Sequence, residues 1–139
     1  MTAERALGQH VLVDLYDCPA GLLDDVACIE SALRAAAGAA GVTVLDAVLH
    51  RFSPYGVTGV LVIKESHMAI HTWPEYGFAA VDLFTCGIDN KPHLAVEVLK
   101  RELQAGRASS VEMRRGQPDM LTERRPPAPD QSSTSTASE

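Results

Sequence analysis

The fold is decided by residues 42–87, VTVLDAVLHRFSPYGVTGVLVIKESHMAIHTWPEYGFAAVDLFTCG. This stretch is rich in β-branched and apolar residues, which favour strands, and turn signals interrupt it at residues 54–56 and 74–77. Strands joined by tight turns favour an antiparallel sheet. We therefore predict four consecutive strands, over residues 42–52, 58–65, 67–73 and 78–86.

Helical patterns flank this stretch on both sides. Upstream, apolar residues recur at steps of three and four over residues 22–40, which predicts an amphipathic helix. Asp24 and Asp25 are expected in its first turn, where carboxylates suit the positive end of the helix dipole. A second apolar stripe, ending near residue 106, predicts another helix with Asn90 as its cap. Two outer strands are also predicted, over residues 9–16 and 110–114.

The order of these elements predicts an α+β fold. We expect a two-layer sandwich in which an antiparallel β-sheet carries two main helices packed on one face. The 139 residues fit one small domain, expected over residues 1–122. From Glu123 onward the chain is rich in Pro, Ser and Thr. Such a segment cannot bury enough apolar surface to offset its ordering entropy, so residues 123–139 are predicted to form a disordered tail.

Charge and cysteine content narrow the class of protein. The net charge of −6 and the pI of about 5.3 argue against a nucleic-acid partner, which needs a basic face. The three cysteines match no disulfide or zinc framework, which indicates free thiols in a reducing compartment. Because the N-terminus lacks a signal-peptide pattern and no apolar run could span a bilayer, we expect a cytoplasmic protein with no membrane partner.

Side chains that could carry chemistry are concentrated in residues 50–87. They are His50, Thr58, Glu65, Ser66, His67, His71, Glu75 and Cys86. A satisfied structural network is the simplest account, because buried polar groups need partners. A metal site is disfavoured, since His67 and His71 would lie about 13 Å apart along one strand. There is no G-x-S-x-G elbow of a serine hydrolase, and no lysine lies in a motif that indicates activation.

Three motifs in fixed order are more specific: E-S-H at 65–67, I-H-T-W-P-E at 70–75 and D-L-F-T-C-G at 82–87. Together they resemble the bacterial S-adenosylmethionine decarboxylase proenzymes, the short, pyruvoyl-dependent prokaryotic class. The resemblance extends more loosely from Gly8 to about Arg115 and leaves out the tail.

The resemblance implies self-cleavage between Glu65 and Ser66, giving a β-chain of residues 1–65 and an α-chain of residues 66–139. In that family the serine hydroxyl attacks the preceding carbonyl to form an ester, and elimination then leads to a pyruvoyl group. Ser66 would thus become the cofactor, a carbonyl that forms a Schiff base with the substrate amine. No metal and no pyridoxal phosphate are implied.

The implied reaction converts S-adenosylmethionine to decarboxylated S-adenosylmethionine and CO2 for spermidine biosynthesis. The implied assembly is a homodimer of processed αβ protomers with sites near the interface. A domain this short buries a limited share of its surface, which also favours an oligomer.

The resemblance also implies roles for five further residues. His71 is the expected proton acceptor in processing, and Cys86 the expected proton donor to the decarboxylated carbon. Thr58 would aid processing; many relatives have serine there, and the extra methyl group, which restricts χ1, could slow that step. Glu75 would bind the ribose hydroxyls, and Phe52 would stack on the adenine. The structural alternatives are a cross-strand hydrogen bond for His71, core packing for Phe52, inert packing for Cys86 and a solvated turn for Glu75.

Two other functions stay open. The same pyruvoyl chemistry could act on another amino acid, such as ornithine or arginine, although Phe52 and Glu75 favour a substrate with an adenosyl group. The chain could instead be a non-catalytic regulatory partner of another subunit. The presence of Ser66, His71 and Cys86 argues against that alternative.

Overall fold

One antiparallel sheet organises the computed structural model, which describes residues 6–64, 66–86 and 90–126. In the described part, six strands pair in the order β2-β3-β4-β5-β1-β6. The strands are β1 (Gly8–Tyr16), β2 (Val44–Arg51), β3 (Val57–Ile63), β4 (Ser66–Trp73), β5 (Phe78–Thr85) and β6 (Arg107–Arg115). The predicted strands are confirmed, although the edge strand β6 is longer than its sequence pattern indicated.

Helices cover one face of the sheet. They are α1 (Ala20–Leu23), α2 (Val26–Ala40) and α3 (Pro92–Glu102). Between the layers lies a core of fully buried aliphatic side chains, which include Leu15, Ile29, Leu33, Leu61, Met68, Leu83 and Leu99. The predicted α+β sandwich with two main helices is therefore confirmed, with α1 as an additional short turn.

The start of the first main helix differs from its prediction. Asp25 is the N-cap of α2 and not a member of its first turn, because its carboxylate accepts hydrogen bonds from the backbone N–H groups of Cys28 and Ala27. The bond from the Cys28 N–H lowers the pKa of Asp25 below its usual 3.8. Asp24 is also outside the helix and reaches a different part of the chain.

The predicted cap of the second main helix is also wrong. Lys91 holds the N-cap position of α3 and makes no side-chain capping bond. The amide of Asn90 donates instead to the backbone carbonyl of Cys86 at 2.7 Å. Asn90 therefore ties the end of the β5 segment to the start of α3.

The second face of the sheet carries no helix within the described residues. Apolar side chains lie exposed on it, from edge strand to edge strand: Val48, Val62, Val111 and Met113. Histidines and aromatic rings occupy both ends of this bare face. In the described part, no helix has the length and hydropathy that a membrane span requires.

Several predicted features fall outside the described residues. They are Glu65, the loop at residues 87–89 and most of the predicted tail, residues 127–139. Residues 123–126 are described; they are exposed and belong to no helix or strand.

Thr72 joins three elements of the core and gives a test of the packing. The residue is 1% exposed, and its hydroxyl accepts from the Val57 N–H at 2.9 Å and donates to the Leu23 carbonyl at 2.7 Å. Replacing it with valine leaves the Val57 N–H and the Leu23 carbonyl buried without a hydrogen bond, which lowers the free energy of unfolding by about 1–3 kcal/mol. Urea unfolding of Thr72→Val in a Ser66→Ala background, where the chain stays intact, should show that loss. Thr72→Ser should retain most of the stability, and a Thr72→Val protein as stable as its parent would contradict the assignment.

Candidate active site

Ser66 is the first residue of β4 and lies opposite Ile63 of β3. Strand alternation gives its side chain the same direction as Met68 and Ile70, which point into the helix-covered core. The Ser66 Oγ is buried and has no hydrogen-bond partner within the described part of the chain. The residue predicted to become the cofactor therefore has an unengaged hydroxyl.

Cys86 lies beside Ser66 at the end of the neighbouring strand. The β4–β5 register pairs His67 with Phe84, so its continuation sets Ser66 opposite Thr85, with Cys86 next in the chain. The Cys86 carbonyl is held by the Asn90 amide. The backbones of two predicted catalytic residues, Ser66 and Cys86, therefore lie at the same end of the sheet.

His71 and Thr58 form a second cluster near the other end of β4. They are a cross-strand pair on the bare face, and the Thr58 Oγ1 lies 2.5 Å from the His71 Nδ1. The imidazole packs edge-on against Trp73, with ring centroids 4.3 Å apart, and lies 5.9 Å from the ring of Phe52. Phe52 is 41% exposed and so lies outside the core. Threonine at position 58 keeps the hydroxyl contact to the histidine.

Asp24 holds the loop that carries Phe52. Its carboxylate accepts from the backbone N–H of Gly56 at 2.8 Å and from the Arg51 guanidinium at 2.6 Å. These two bonds lower the pKa of Asp24 below its usual 3.8, the bond from Gly56 having the larger effect. No local sequence pattern reveals this role of Asp24, because both of its partners, Arg51 and Gly56, are distant along the chain.

Glu75 lies in a short 3-10 helix, Pro74–Tyr76, and is exposed. Beside it the bare face carries a groove of about 370 Å³ with an aromatic lining: Tyr16, Trp73, Tyr76 and Phe78. Trp73 joins this groove to His71, so Glu75, His71 and the exposed Phe52 share one end of the molecule. Sequence reasoning missed the aromatic groove, because its members come from three separate segments.

The two clusters do not meet within one chain. Ser66 and His71 are five residues apart along β4, which at about 3.3 Å per residue is roughly 16 Å. Their side chains also point to opposite faces, since an odd number of residues separates them. Within the described residues, no three His, Cys, Asp or Glu side chains come together as a set of metal ligands.

Comparison with known proteins now identifies the family. The family model described as S-adenosylmethionine decarboxylase matches residues 9–116. The S-adenosylmethionine decarboxylase proenzyme of Thermotoga petrophila is 50% identical over 117 residues, which cover 84% of this chain and 90% of that protein. The proenzyme of the same name from Acidithiobacillus ferrooxidans is 48% identical over 117 residues, covering 84% of this chain and 88% of that protein.

A solved structure agrees with the sequence matches. The crystal structure of the adenosylmethionine decarboxylase from Aquifex aeolicus matches with a TM-score of 0.76 at 35% identity, covering 89% of this chain and 99% of that chain. Fold and matches together place the chain in a class of small α+β sandwich decarboxylases. The chain belongs to the S-adenosylmethionine decarboxylase family.

The Asp24 contacts predict a pH-dependent contribution to stability. Because the pKa is lowered in the folded protein, the contribution is complete above the unfolded value near 3.8 and is lost as the pH falls below it. Asp24→Asn should therefore lower Tm at pH 7, and the difference from the parent should shrink at successive steps below pH 3.8. Asp119→Asn, at an exposed aspartate, is the control and should show no such trend. An Asp24→Asn difference that is independent of pH would contradict this account.

Proposed function

We propose that this chain is an S-adenosylmethionine decarboxylase that matures by cutting itself between Glu65 and Ser66. The observation that carries the proposal is the buried Ser66 hydroxyl, which has no partner among the described residues. A buried hydroxyl without a hydrogen bond is costly, so one that is kept calls for a role. Membership of a family whose relatives are named proenzymes supplies that role.

Maturation would begin with the Ser66 Oγ. It bonds to the carbonyl carbon of Glu65, the peptide C–N bond breaks, and the hydroxyl proton passes to the released amine of Ser66. In the next step the α-proton of Ser66 is removed, the Cβ–O bond breaks and Glu65 leaves with its carboxylate, so that Ser66 becomes dehydroalanine. Water then hydrolyses the dehydroalanine, its nitrogen leaves as ammonia, and the pyruvoyl group results.

We assign the removal of the α-proton to His71. In the tautomer whose Nδ1–H donates to the Thr58 Oγ1, the Nε2 lone pair is left to take the proton. The Ser66 and His71 side chains point to opposite faces of the sheet. This does not prevent the transfer, because the proton is taken from the α-carbon of Ser66 and not from its side chain.

The cofactor in this proposal is a pyruvoyl group derived from Ser66. Its position fits, because the unengaged hydroxyl lies at a strand end beside Cys86. Once formed, the group supplies a carbonyl that binds the substrate amine and accepts the electrons released with CO2. Cys86 holds a proton at its Sγ for the carbon that has lost CO2. No metal and no pyridoxal phosphate take part.

We infer that the working unit is a homodimer with composite sites. One chain separates Ser66 from His71 by roughly 16 Å, and exposed apolar side chains lie on the bare face that carries His71. A second copy packed on that face would cover these side chains. In a contact with two-fold symmetry, residue i of the first subunit meets residue j of the second, and residue j of the first meets residue i of the second. His71 and Thr58 of one subunit would thus serve Ser66 and Cys86 of the other, twice per dimer.

The substrate proposal rests on the aromatic end of the bare face. Exposed Phe52 offers a ring for the adenine, and the exposed Glu75 carboxylate can accept two hydroxyl hydrogen bonds from the ribose. Aromatic faces also attract a cation such as the sulfonium of S-adenosylmethionine. The product would serve as aminopropyl donor in cytoplasmic spermidine synthesis. Ornithine and arginine have neither an adenine nor a ribose, so Phe52 and Glu75 would have no part of such a substrate to bind.

Activity tests the proposal directly. The purified protein should release labelled CO2 from carboxyl-labelled S-adenosylmethionine and none from labelled ornithine or arginine. Ser66→Ala should remain uncleaved and inactive, because it can form neither the ester nor the cofactor. Cys86→Ala should be cleaved but lose turnover by about tenfold or more, since its proton donor is missing. An active Ser66→Ala protein would refute the proposal.

Mixed dimers test the composite site. Ser66→Ala and His71→Ala chains, distinguished by tags, should each stay uncleaved alone. Co-expression creates dimers in which the intact Ser66 of one chain meets the intact His71 of the other. Up to about half of the His71→Ala chains, the statistical share in mixed dimers, should then be cleaved. Cleavage of neither chain in purified mixed dimers would place the whole site within one subunit.

A further inference from the structure

Thr85, the last residue of β5, has a buried hydroxyl that the proposed mechanism does not yet use. The residue is 2% exposed, and its Oγ1 has no hydrogen-bond partner within the described part of the chain. Thr72, the other buried threonine on the same face, is engaged by Val57 and Leu23. Valine has nearly the same shape as threonine and would avoid the cost of the unpaired hydroxyl at position 85.

The neighbours of Thr85 indicate what the hydroxyl is for. On one side it is paired in register with Gln9 of β1, and no bond to that amide is made. On the other side, the β4–β5 register continues to Ser66. Ser66 and Thr85 point to the same helix-covered face, and directly opposed residues have Cβ atoms about 4.5–5.5 Å apart. Two hydroxyls at that spacing can meet by rotation about χ1, and both are unengaged.

We propose that Thr85 is a positioning residue for self-cleavage, whose hydroxyl hydrogen-bonds the Ser66 Oγ and holds it toward the Glu65 carbonyl. This inference rests on the proposed function, since it concerns the first step of that maturation. In that step the Oγ–carbonyl bond forms, the peptide C–N bond breaks, and the Ser66 hydroxyl proton goes to the released amine. Thr85 gains and loses no atom. It fixes one rotamer of Ser66 and so raises the fraction of time that the nucleophile is in place.

The test compares Thr85→Val with Thr85→Ser. Newly synthesised full-length chains are followed by gel electrophoresis as they are cleaved. Thr85→Val should be cleaved about tenfold more slowly, the effect of losing one positioning hydrogen bond. Thr85→Ser, which keeps the hydroxyl, should stay within about twofold of the parent. A Thr85→Val chain cleaved at the parental rate would overturn the inference, as would a Thr85→Ser chain as slow as Thr85→Val.

Stability measurements separate positioning from packing. In the Ser66→Ala background, Thr85→Val should be at least as stable to urea as its parent, because it removes an unpaired polar group. Thr72→Val is the matched control and should lose stability, since its hydroxyl is bonded. A slow Thr85→Val chain that is also markedly less stable would assign Thr85 to packing and overturn the inference.

Hydroxylamine identifies the step at which Thr85 acts. It cleaves the ester, so it releases any chain in which the first step has occurred. His71→Ala, blocked after the ester, should be cleaved by hydroxylamine, whereas Thr85→Val should stay slow because little ester forms. Cleavage of Thr85→Val by hydroxylamine at the parental rate would place Thr85 after the ester and overturn the inference. If the parent chain itself stays whole, with or without hydroxylamine, the proposed function fails, and the failure is not specific to Thr85.

Discussion

The direction and period of β4 constrain everything else in the proposed site. A strand advances about 3.3 Å per residue and turns each side chain to the opposite face. Ser66 and His71, five residues apart, therefore lie at separate places on opposite faces of the sheet. The chain cannot fold them together without breaking the strand. The proposed homodimer answers this constraint, because a second copy packed on the exposed, partly apolar bare face would bring its own His71 to Ser66.

Three threonine hydroxyls differ in the partners that they have in the folded chain. Thr72 is buried and bonded to two other elements, so its hydroxyl holds the layers together. Thr58 is partly buried and contacts the His71 imidazole. Thr85 is buried and unengaged. The bonded Thr72 hydroxyl stabilises the fold, whereas the buried, unpaired Thr85 hydroxyl costs folding free energy, and that cost motivates the role proposed for Thr85.

The sequence predicted most of the strands because β-branched runs and turn residues are local signals. It underestimated β6, because its first residues, Arg107 to Ser109, carry no apolar strand signal and are held in the sheet by pairing with β1. It misplaced the start of α2 because the apolar spacing continues back to Leu22, which lies in α1, so that both aspartates fell inside the expected helix. Asp25 caps α2 instead, and a distant partner, the Gly56 N–H, engages Asp24. The sequence motifs indicated Ser66, His71 and Cys86 as site residues. They did not show that His71 lies far from Ser66 within one chain. Thr85 and the groove around Trp73 depend on neighbouring strands, which no local pattern reveals.

Under the proposed function, Ser66 becomes the cofactor when the chain cuts itself in front of it. The intact mass of the purified protein under denaturing conditions tests it most directly. The account predicts two fragments that split between Glu65 and Ser66, the second with the mass of a pyruvoyl group in place of serine and blocked to Edman sequencing. A single full-length chain that persists on incubation would contradict it.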